Sequence, residues 1–385
     1  MQSENHIRTA QSCATDARAA VQEFRAQIWR PGLSLVAFFC SSDYDLEALA
    51  DEMARAFPGV SVVGCTTAGE IGPDGYRQGS LTGAGFPGSH YGAVTGLLAS
   101  VQDFEFSQMP GFTQGLLRRL EAGNPPAGAD DLFGLMLIDG LSAREEPVAH
   151  ALQASLRGIP LVGGSAGDDL RFDSTRVYHG GRFHQDAAVL ALVRTAYPFQ
   201  IFKTQHFIYQ GERLVVTAAD ASRRIVHELN GLPAAEEYAR LIGCSVADLT
   251  PQRFAASPVV VLIDGTDYVR SIQKANPDGS LTFYCAIDVG LILRVATGVN
   301  LLDDLDETLR GLQAKLGELQ ALFAFDCILR NLELEQKGLK PRVGEMLRRN
   351  HAVGFSTYGE QYGGVHVNQT LSGIAIGRTE RMSGG

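Results

Sequence analysis

Leu305, Leu309, Leu312, Leu316 and Leu319 recur at steps of four and three, the spacing of one face of an α-helix. The same period links Leu46, Leu49, Met53 and Phe57, then Val148, Leu152 and Leu156, and later Val343, Met346 and Leu347. Asp16–Ile28 reads as a further amphipathic helix. Between these stretches lie short, unbroken apolar runs, Leu33–Cys40, Leu132–Ile138 and Leu322–Cys327, as expected of strands buried on both faces. Ser41-Ser42-Asp43 offers N-cap groups for the helix that follows, and Gly59 a stop. Ser142 and Glu145 have capping-box spacing. Pro147 is tolerated only in a first turn, which moves the expected start of that helix a few residues later.

The pattern repeats as a unit: helix, apolar strand, polar corner, helix, strand, then a Gly-rich turn. Val63-Gly64-Cys65-Thr66-Thr67-Ala68-Gly69-Glu70 returns as Val353-Gly354-Phe355-Ser356-Thr357-Tyr358-Gly359-Glu360, and in shortened form as Val162-Gly163-Gly164-Ser165-Ala166-Gly167-Asp168. Ser80–Phe86 follows the first copy at the distance at which Thr370–Ile376 follows the last. Matched spacing across a loop marks one structural unit used repeatedly. The expected fold is α/β: repeated strand-helix-strand-hairpin units forming two mixed-sheet domains with helices packed outside. Arg194–Pro198 is the expected seam, dividing residues 1–200 from 201–385. Within the second part, residues 205–300 change character. Leu214-Val215-Val216 and Val259–Ile263 read as strands, and Asp278-Gly279 as a hairpin turn between Ser271–Lys274 and Leu281–Ile287. Asn124-Pro125-Pro126 reads as a loop.

The 385-residue chain carries a net charge of −10, which argues against a general nucleic-acid binder. No apolar run reaches the ~18 residues of a membrane span, and Met1–His6 lacks the start of a signal peptide. The six cysteines are scattered without a C-x-x-C. Cys40, Cys285 and Cys327 sit in apolar runs, as buried reduced thiols of a cytoplasmic protein would.

Candidate chemistry gathers at the turns. Thr66, Thr67, Glu70, Ser165, Asp168, Ser356, Thr357, Tyr358 and Glu360 would form a polar wall if the three turns converge. Alternatively, their acids cap nearby backbone. Cys65 or Thr66 is a conceivable hydrolase nucleophile, although Cys65 is replaced by Gly164 and Phe355 in the sister turns. A separate cluster lies in Val177–His184, which reads as a hairpin turning at Gly180-Gly181. That register puts Val177, His179, Arg182 and His184 on one face and Tyr178 and Phe183 on the other. Imidazoles beside Arg182 and Arg176 suit haem iron and its propionates. His206, in an apparent strand Phe202–Ile208, is either a core histidine or a third ligand candidate. His366, in Gly364–Asn368, is expected to face the third turn. The absence of C-x-x-C-H excludes covalent haem attachment.

Val63–Gly72, Leu161–Asp168 with Asp186–Leu192, and NHAVGFSTYGEQYGGVHVNQTLSGIAIG from Asn350 to Gly377 together resemble the FIST sensory family, FIST-N followed by FIST-C, over residues 30–378. TQHFIYQGERLVVT from Thr204 to Thr217, with the C-terminal block, is most similar to its nitric-oxide-sensing haemoprotein subgroup. The resemblance implies a stand-alone, non-enzymatic sensor, with no kinase, transmitter or methyl-accepting segment appended. It implies b-type haem, nitric oxide as a diatomic gas ligand, and control of a sensor histidine kinase affecting biofilm behaviour. A homodimer is compatible with it. It also leaves open a haem-free receptor for a small polar metabolite such as an amino acid.

Overall fold

The computed structural model describes residues 5–123, 129–204, 206–263 and 266–380; the Asn124-Pro125-Pro126 stretch lies outside them. Most of the periodic segments fold as their spacing predicts. Ala17–Ile28 is helical, with the Asp16 carboxylate accepting the Ala19 N–H. Leu46–Ala56 is capped by Asp45 rather than by Ser41-Ser42-Asp43, because the strand Leu33–Ser41 runs into that corner. Glu145–Ser155 begins at Glu145 with Pro147 inside its first turn, where a proline sacrifices no helical hydrogen bond. No capping box forms there; the Ser142 hydroxyl instead accepts the Arg144 N–H. Leu301–Leu316 buries Leu305, Leu309 and Leu312. Leu319 lies outside that helix and opens the strand Leu319–Cys327, because Gly317, at φ 73°, ends the helix first.

The architecture is mixed α/β with helices outside the sheets, and its repeat runs strand, helix, strand, helix, strand, hairpin, strand. The first unit uses Arg8–Ser12, Ala17–Ile28, Leu33–Ser41, Leu46–Ala56, Ser61–Thr67, the hairpin Glu70–Gly72/Gly75–Arg77, and Leu81–Pro87. The second uses Tyr91–Ala99, Met109–Ala122, Leu132–Ile138, Glu145–Ser155, Leu161–Ser165, the hairpin Val177–His179/Arg182–His184, and Ala187–Thr195. The third uses Phe199–Thr204, Leu301–Leu316, Leu319–Cys327, the helices Ile328–Gln336 and Lys340–Arg349, Ala352–Thr357, the hairpin Glu360–Tyr362/Val365–Val367, and Leu371–Gly377. In each sheet the last strand lies antiparallel between the first two, and the third strand runs parallel to the second.

Each third strand would be a bare edge, and each is covered by a hairpin from another unit. The first unit's hairpin pairs with Ala352–Thr357, the second's with Ser61–Thr67, and the third's with Leu161–Ser165. This cyclic exchange closes three six-stranded sheets into a ring and removes edges that would invite aggregation. The sheets' inner faces meet in one core that includes Phe39, Leu137, Val162, Phe323, Phe325 and Phe355. Phe39 lies 4.8 Å from Phe355 and 6.2 Å from Phe325, contacts each worth ~0.5–1.5 kcal/mol beyond simple burial. The repeated glycine has a steric cause. A Cβ on Gly163 would lie 1.8 Å from the Met136 carbonyl oxygen, and one on Gly354 1.8 Å from that of Ala324. At these two positions parallel strands pack too closely for any side chain, whereas a Cβ on Gly64 would meet the Phe38 ring at 2.6 Å.

Residues 207–298 interrupt the third unit after Phe199–Thr204 and form an eight-stranded sheet. Ile272–Ala275 pairs with Leu281–Phe283 around Asp278-Gly279, as the turn signal predicts. Thr266–Arg270 and Ile272–Ala275 are neighbours in the chain yet lie at opposite ends of that sheet. The sheet therefore curls, around a core that includes Leu214, Tyr238, Phe254 and Leu293. Cys40, Cys285 and Cys327 are buried free thiols. Among the described residues, no helix is long and apolar enough to cross a membrane.

Candidate functional site

The hairpin exchange brings all three Gly-rich turns together. Ala68 N–H donates to the Ser356 carbonyl at 3.0 Å, Gly167 N–H to that of Thr66 at 3.0 Å, and Tyr358 N–H to that of Ser165 at 3.4 Å. Each turn thus donates to the next, closing a ring of backbone bonds. Thr66, Thr67, Glu70, Ser165, Asp168, Ser356, Thr357, Tyr358 and Glu360 are all buried. Most of their polar atoms serve the hub itself. The Glu70 carboxylate accepts from the Thr67 hydroxyl, and from Ser80 N and Oγ at 2.9 and 2.7 Å. Asp168 accepts the N–H groups of Phe172, Asp173 and Ser174. Thr357 donates from Oγ1 to the Ser165 and Gly359 carbonyls at 2.7 Å. Arg176 joins through its backbone, donating its N–H to Thr66 Oγ1 at 3.0 Å. Convergence and local capping are therefore both realised.

The third unit breaks the symmetry. Glu360 Oε1 receives Thr370 N–H and Oγ1–H, as Glu70 receives Ser80. Its Oε2, however, is buried and unpartnered, as are Asn331 Oδ1, Gln361 Oε1, His366 Nε2, both side-chain amide atoms of Asn368, and Ser372 Oγ. These residues adjoin the third turn. The Asn331 amide donates to Ser356 Oγ at 2.5 Å, and that of Gln361 meets Ser165 Oγ at 3.1 Å and His366 Nδ1 at 3.0 Å. His366 faces the third turn so closely that a Cβ on Gly359 would lie 2.1 Å from its ring, with Asn368 Nδ2 at 3.1 Å. Burial lowers the His366 pKa to about 4, so its ring is neutral. Burial, with Asp326 nearby, pushes Glu360 well up. Folded proteins leave few such atoms unpaired, at ~1–3 kcal/mol each. Others lie elsewhere, at Tyr91, His206 and Arg330 among them. Those gathered around the third turn, from the helix Ile328–Gln336, the hairpin with Asn368 and the strand Leu371–Gly377, mark a place built to hydrogen-bond something else.

The eight-stranded sheet is bolted to this region. Arg270 donates to the His366 carbonyl at 3.1 Å. Arg224 holds Glu145 and Glu146 at 2.5 and 2.7 Å. Glu146 also accepts the Ala286 N–H. Gln361, Asn368, Asn331, Arg270 and Arg224 escape residue-type reasoning, because nothing in their spacing reports a neighbour that arrives by hairpin exchange.

The histidine hairpin has the predicted register: Val177 opposite His184, Tyr178 opposite Phe183, His179 opposite Arg182. Tyr178 and Phe183 pack on Phe38, leaving the imidazole face to the other side. His179 meets Thr95 Oγ1 through Nε2 at 3.1 Å and lines a cleft of about 380 Å³. His184 meets the His179 carbonyl through Nε2 at 3.0 Å. Arg182 is exposed, and the Arg176 guanidinium bonds Ser174 Oγ through Nε at 3.3 Å. His206 lies elsewhere. Phe202–Ile208 is not one strand: Phe199–Thr204 ends in the third unit and Phe207–Asp220 starts in the eight-stranded sheet. His206 stands at that crossing, fully buried, with Nε2 on Glu333 at 2.9 Å. All three imidazoles commit Nε2 to protein oxygens, so an iron could take any of them at that atom only by breaking that contact. Cys65 is wholly buried, and burial raises its thiol pKa well above the ordinary value, with Cys40 and Glu70 adding to the rise. A thiol in that setting is not an activated nucleophile.

The repeated hub and its C-terminal ribbon coincide with two matched families. The chain matches the FIST N domain over residues 34–232 and the FIST C domain over residues 234–363. It belongs to the FIST family. FIST domains are sensor domains of signal transduction. Among curated proteins no sequence matches this chain. The division between FIST N and FIST C falls at the start of the helix Ala234–Ile242, inside the eight-stranded sheet region, so both matches contribute to the ring. The unpartnered Glu360 and Gln361 lie in FIST C, while His366, Asn368 and Ser372 follow its matched span.

Proposed function

We propose that this FIST protein is a haem-free receptor for a small polar metabolite, bound along the Asn331, Glu360–Gln361 and His366–Asn368 ribbon. The observation that carries this reading is the concentration of buried, unpartnered donors and acceptors there. Asn368 offers both an N–H and a carbonyl, Gln361 and Asn331 offer carbonyls, and Glu360 and Ser372 offer oxygens. A compact molecule bearing both donors and acceptors, such as a free amino acid, matches that mixture. Binding would alter the third turn directly, because Tyr358-Gly359 joins the hub to the ribbon. The Arg270 and Arg224 contacts would carry the change to the eight-stranded sheet. Transfer of the signal to a histidine kinase rests on the family resemblance.

The test is thermal unfolding and calorimetry of the whole chain against a panel of free amino acids. One or more should raise the midpoint by mass action. Asn368→Leu should abolish the rise, whereas His184→Ala should leave it intact. The rival outcome is visible in the same preparation. A Soret band that survives desalting, shifts with nitric oxide and disappears in His179→Ala or His184→Ala would replace this reading with the haem sensor.

A further inference from the structure

The three turns leave the hub differently. Ala68-Gly69 alone leads the first turn into its hairpin, and Tyr358-Gly359 alone leads the third into its own. In the second unit, residues 166–176 intervene between Leu161–Ser165 and Val177–His179. This added loop starts at the point where the turns converge, since Gly167 N–H is one of the hub donors. Its backbone is strained: Asp169, Leu170 and Phe172 have φ of 56°, 63° and 53°, values that leucine and phenylalanine rarely adopt.

Tyr358 fastens it to the third unit. Its hydroxyl donates to Asp168 Oδ1, and the tyrosine oxygen itself accepts the N–H of Leu170 at 2.8 Å and of Asp168 at 3.3 Å. The Asp168 carboxylate in turn ties down Phe172, Asp173 and Ser174. Phe172, 37% exposed, stacks on Tyr358 with ring centres 4.9 Å apart. Arg171 reaches Asp43 of the first unit at 2.7 Å. Tyr358 adjoins Gly359, over which the His366 ring lies. Glu360, Gln361 and Asn368 are 0% exposed and His366 1%, so a ligand reaches them only when a covering segment moves.

We propose that residues 167–174 are a gate over the third turn, latched by the Tyr358 hydroxyl, and that its opening admits the ligand. This rests on the ribbon being the binding site. Ligand contact beside Gly359 would then compete with the latch, so the strained loop releases when the site fills.

Hydrogen exchange of the full-length chain tests the gate, with an equimolar mixture of free amino acids as probe. Tyr358→Phe and Asp168→Asn should speed exchange at Leu170 and Phe172–Ser174 by about tenfold or more, the worth of one charge-assisted bond. Trypsin cleavage after Arg171 should accelerate in parallel, while exchange at the hub amides of Ala68 and Gly167 stays slow. Phe172→Ala, which removes only the half-exposed stacking ring, should act in the same direction and guards against misfolding of the other variants. Equal exchange in parent and variants, or acceleration spread evenly through the hub, overturns the gate. If the variants open selectively but the amino-acid mixture changes neither exchange nor the unfolding midpoint, the gate stands and the amino-acid reading falls. If the mixture stabilises parent and variants alike while loop exchange is the same in all, binding stands and the gate falls.

Discussion

Glu70 sits where water does not reach, and burial pushes its pKa up to about 7 from 4.5 despite the hydrogen bonds from Thr67 and Ser80. Its folded value thus exceeds its unfolded one. The folded state keeps a proton that the unfolded chain releases, so stability is fully present below pH ~4.5 and is lost as pH rises toward 7. His366 has the opposite sign. Its folded pKa, about 4 against 6.5, makes the folded state lose stability as pH falls between those values. Glu70→Gln isolates the first effect. The stability of the variant relative to the parent should rise by ~1.4 kcal/mol per pH unit between pH 4.5 and 7 and level off above. Urea unfolding at pH 4.5, 5.5, 7 and 8 checks this, and a difference independent of pH would refute it. At Gly359 the issue is space. An alanine Cβ there would need the His366 ring to move. Gly359→Ala should therefore cost roughly 1–3 kcal/mol and abolish ligand-induced stabilisation, read from thermal unfolding with and without amino acids.

At the scale of elements, the parallel strand pairs and the exchanged hairpins make opposite demands on glycine. Gly354 lies inside a strand, and its Cβ would collide with the backbone of Leu319–Cys327. Backbone cannot rotate away as a side chain can, so Gly354→Ala should exceed the usual ~1–3 kcal/mol of overpacking and yield little soluble protein. Gly180 and Gly181 instead have φ of 62° and 86° with open space or only distant contact around them. That is a type I′ turn, which asparagine also accepts at its first position. Gly180→Asn should leave the thermal midpoint essentially unchanged. Equal damage from both substitutions would mean that crowding between strands is not what the repeated glycine relieves.

At the scale of the molecule, ring closure makes the units interdependent. Residues 1–200 cut from the rest would present the hairpin Glu70–Gly72/Gly75–Arg77 without its partner strand Ala352–Thr357. They would also lose the third unit's side of the shared core, including Phe323, Phe325 and Phe355. That fragment should bind a hydrophobic dye and aggregate, whereas the whole chain should not. A monomeric fragment with a sharp unfolding transition would show that the exchange is dispensable. The net charge of −10 makes long-range attraction to nucleic acid unfavourable at this scale too.

Much of the local structure was legible in the chain. Periodicity marked the helical face at Leu305, Leu309 and Leu312, and the Gly-Gly pair set the register of Val177–His184, because both depend on neighbours in sequence. Matched spacing announced a repeat and singled out its turns, since a duplicated unit keeps its loop lengths. The partner of each hairpin was not legible. Pairing of Glu70–Gly72 with Ala352–Thr357 depends on three sheets closing together, and no local propensity encodes that. The same closure decided that Glu70 would be satisfied by Ser80 and Thr67 while Glu360, at the matched position, would keep an unpartnered oxygen. It also gave His366, rather than the half-buried hairpin pair, the enclosed place beside the third turn. Sequence fixes what each segment can form by itself; hydrogen-bond satisfaction in a closed core is settled only when distant segments meet.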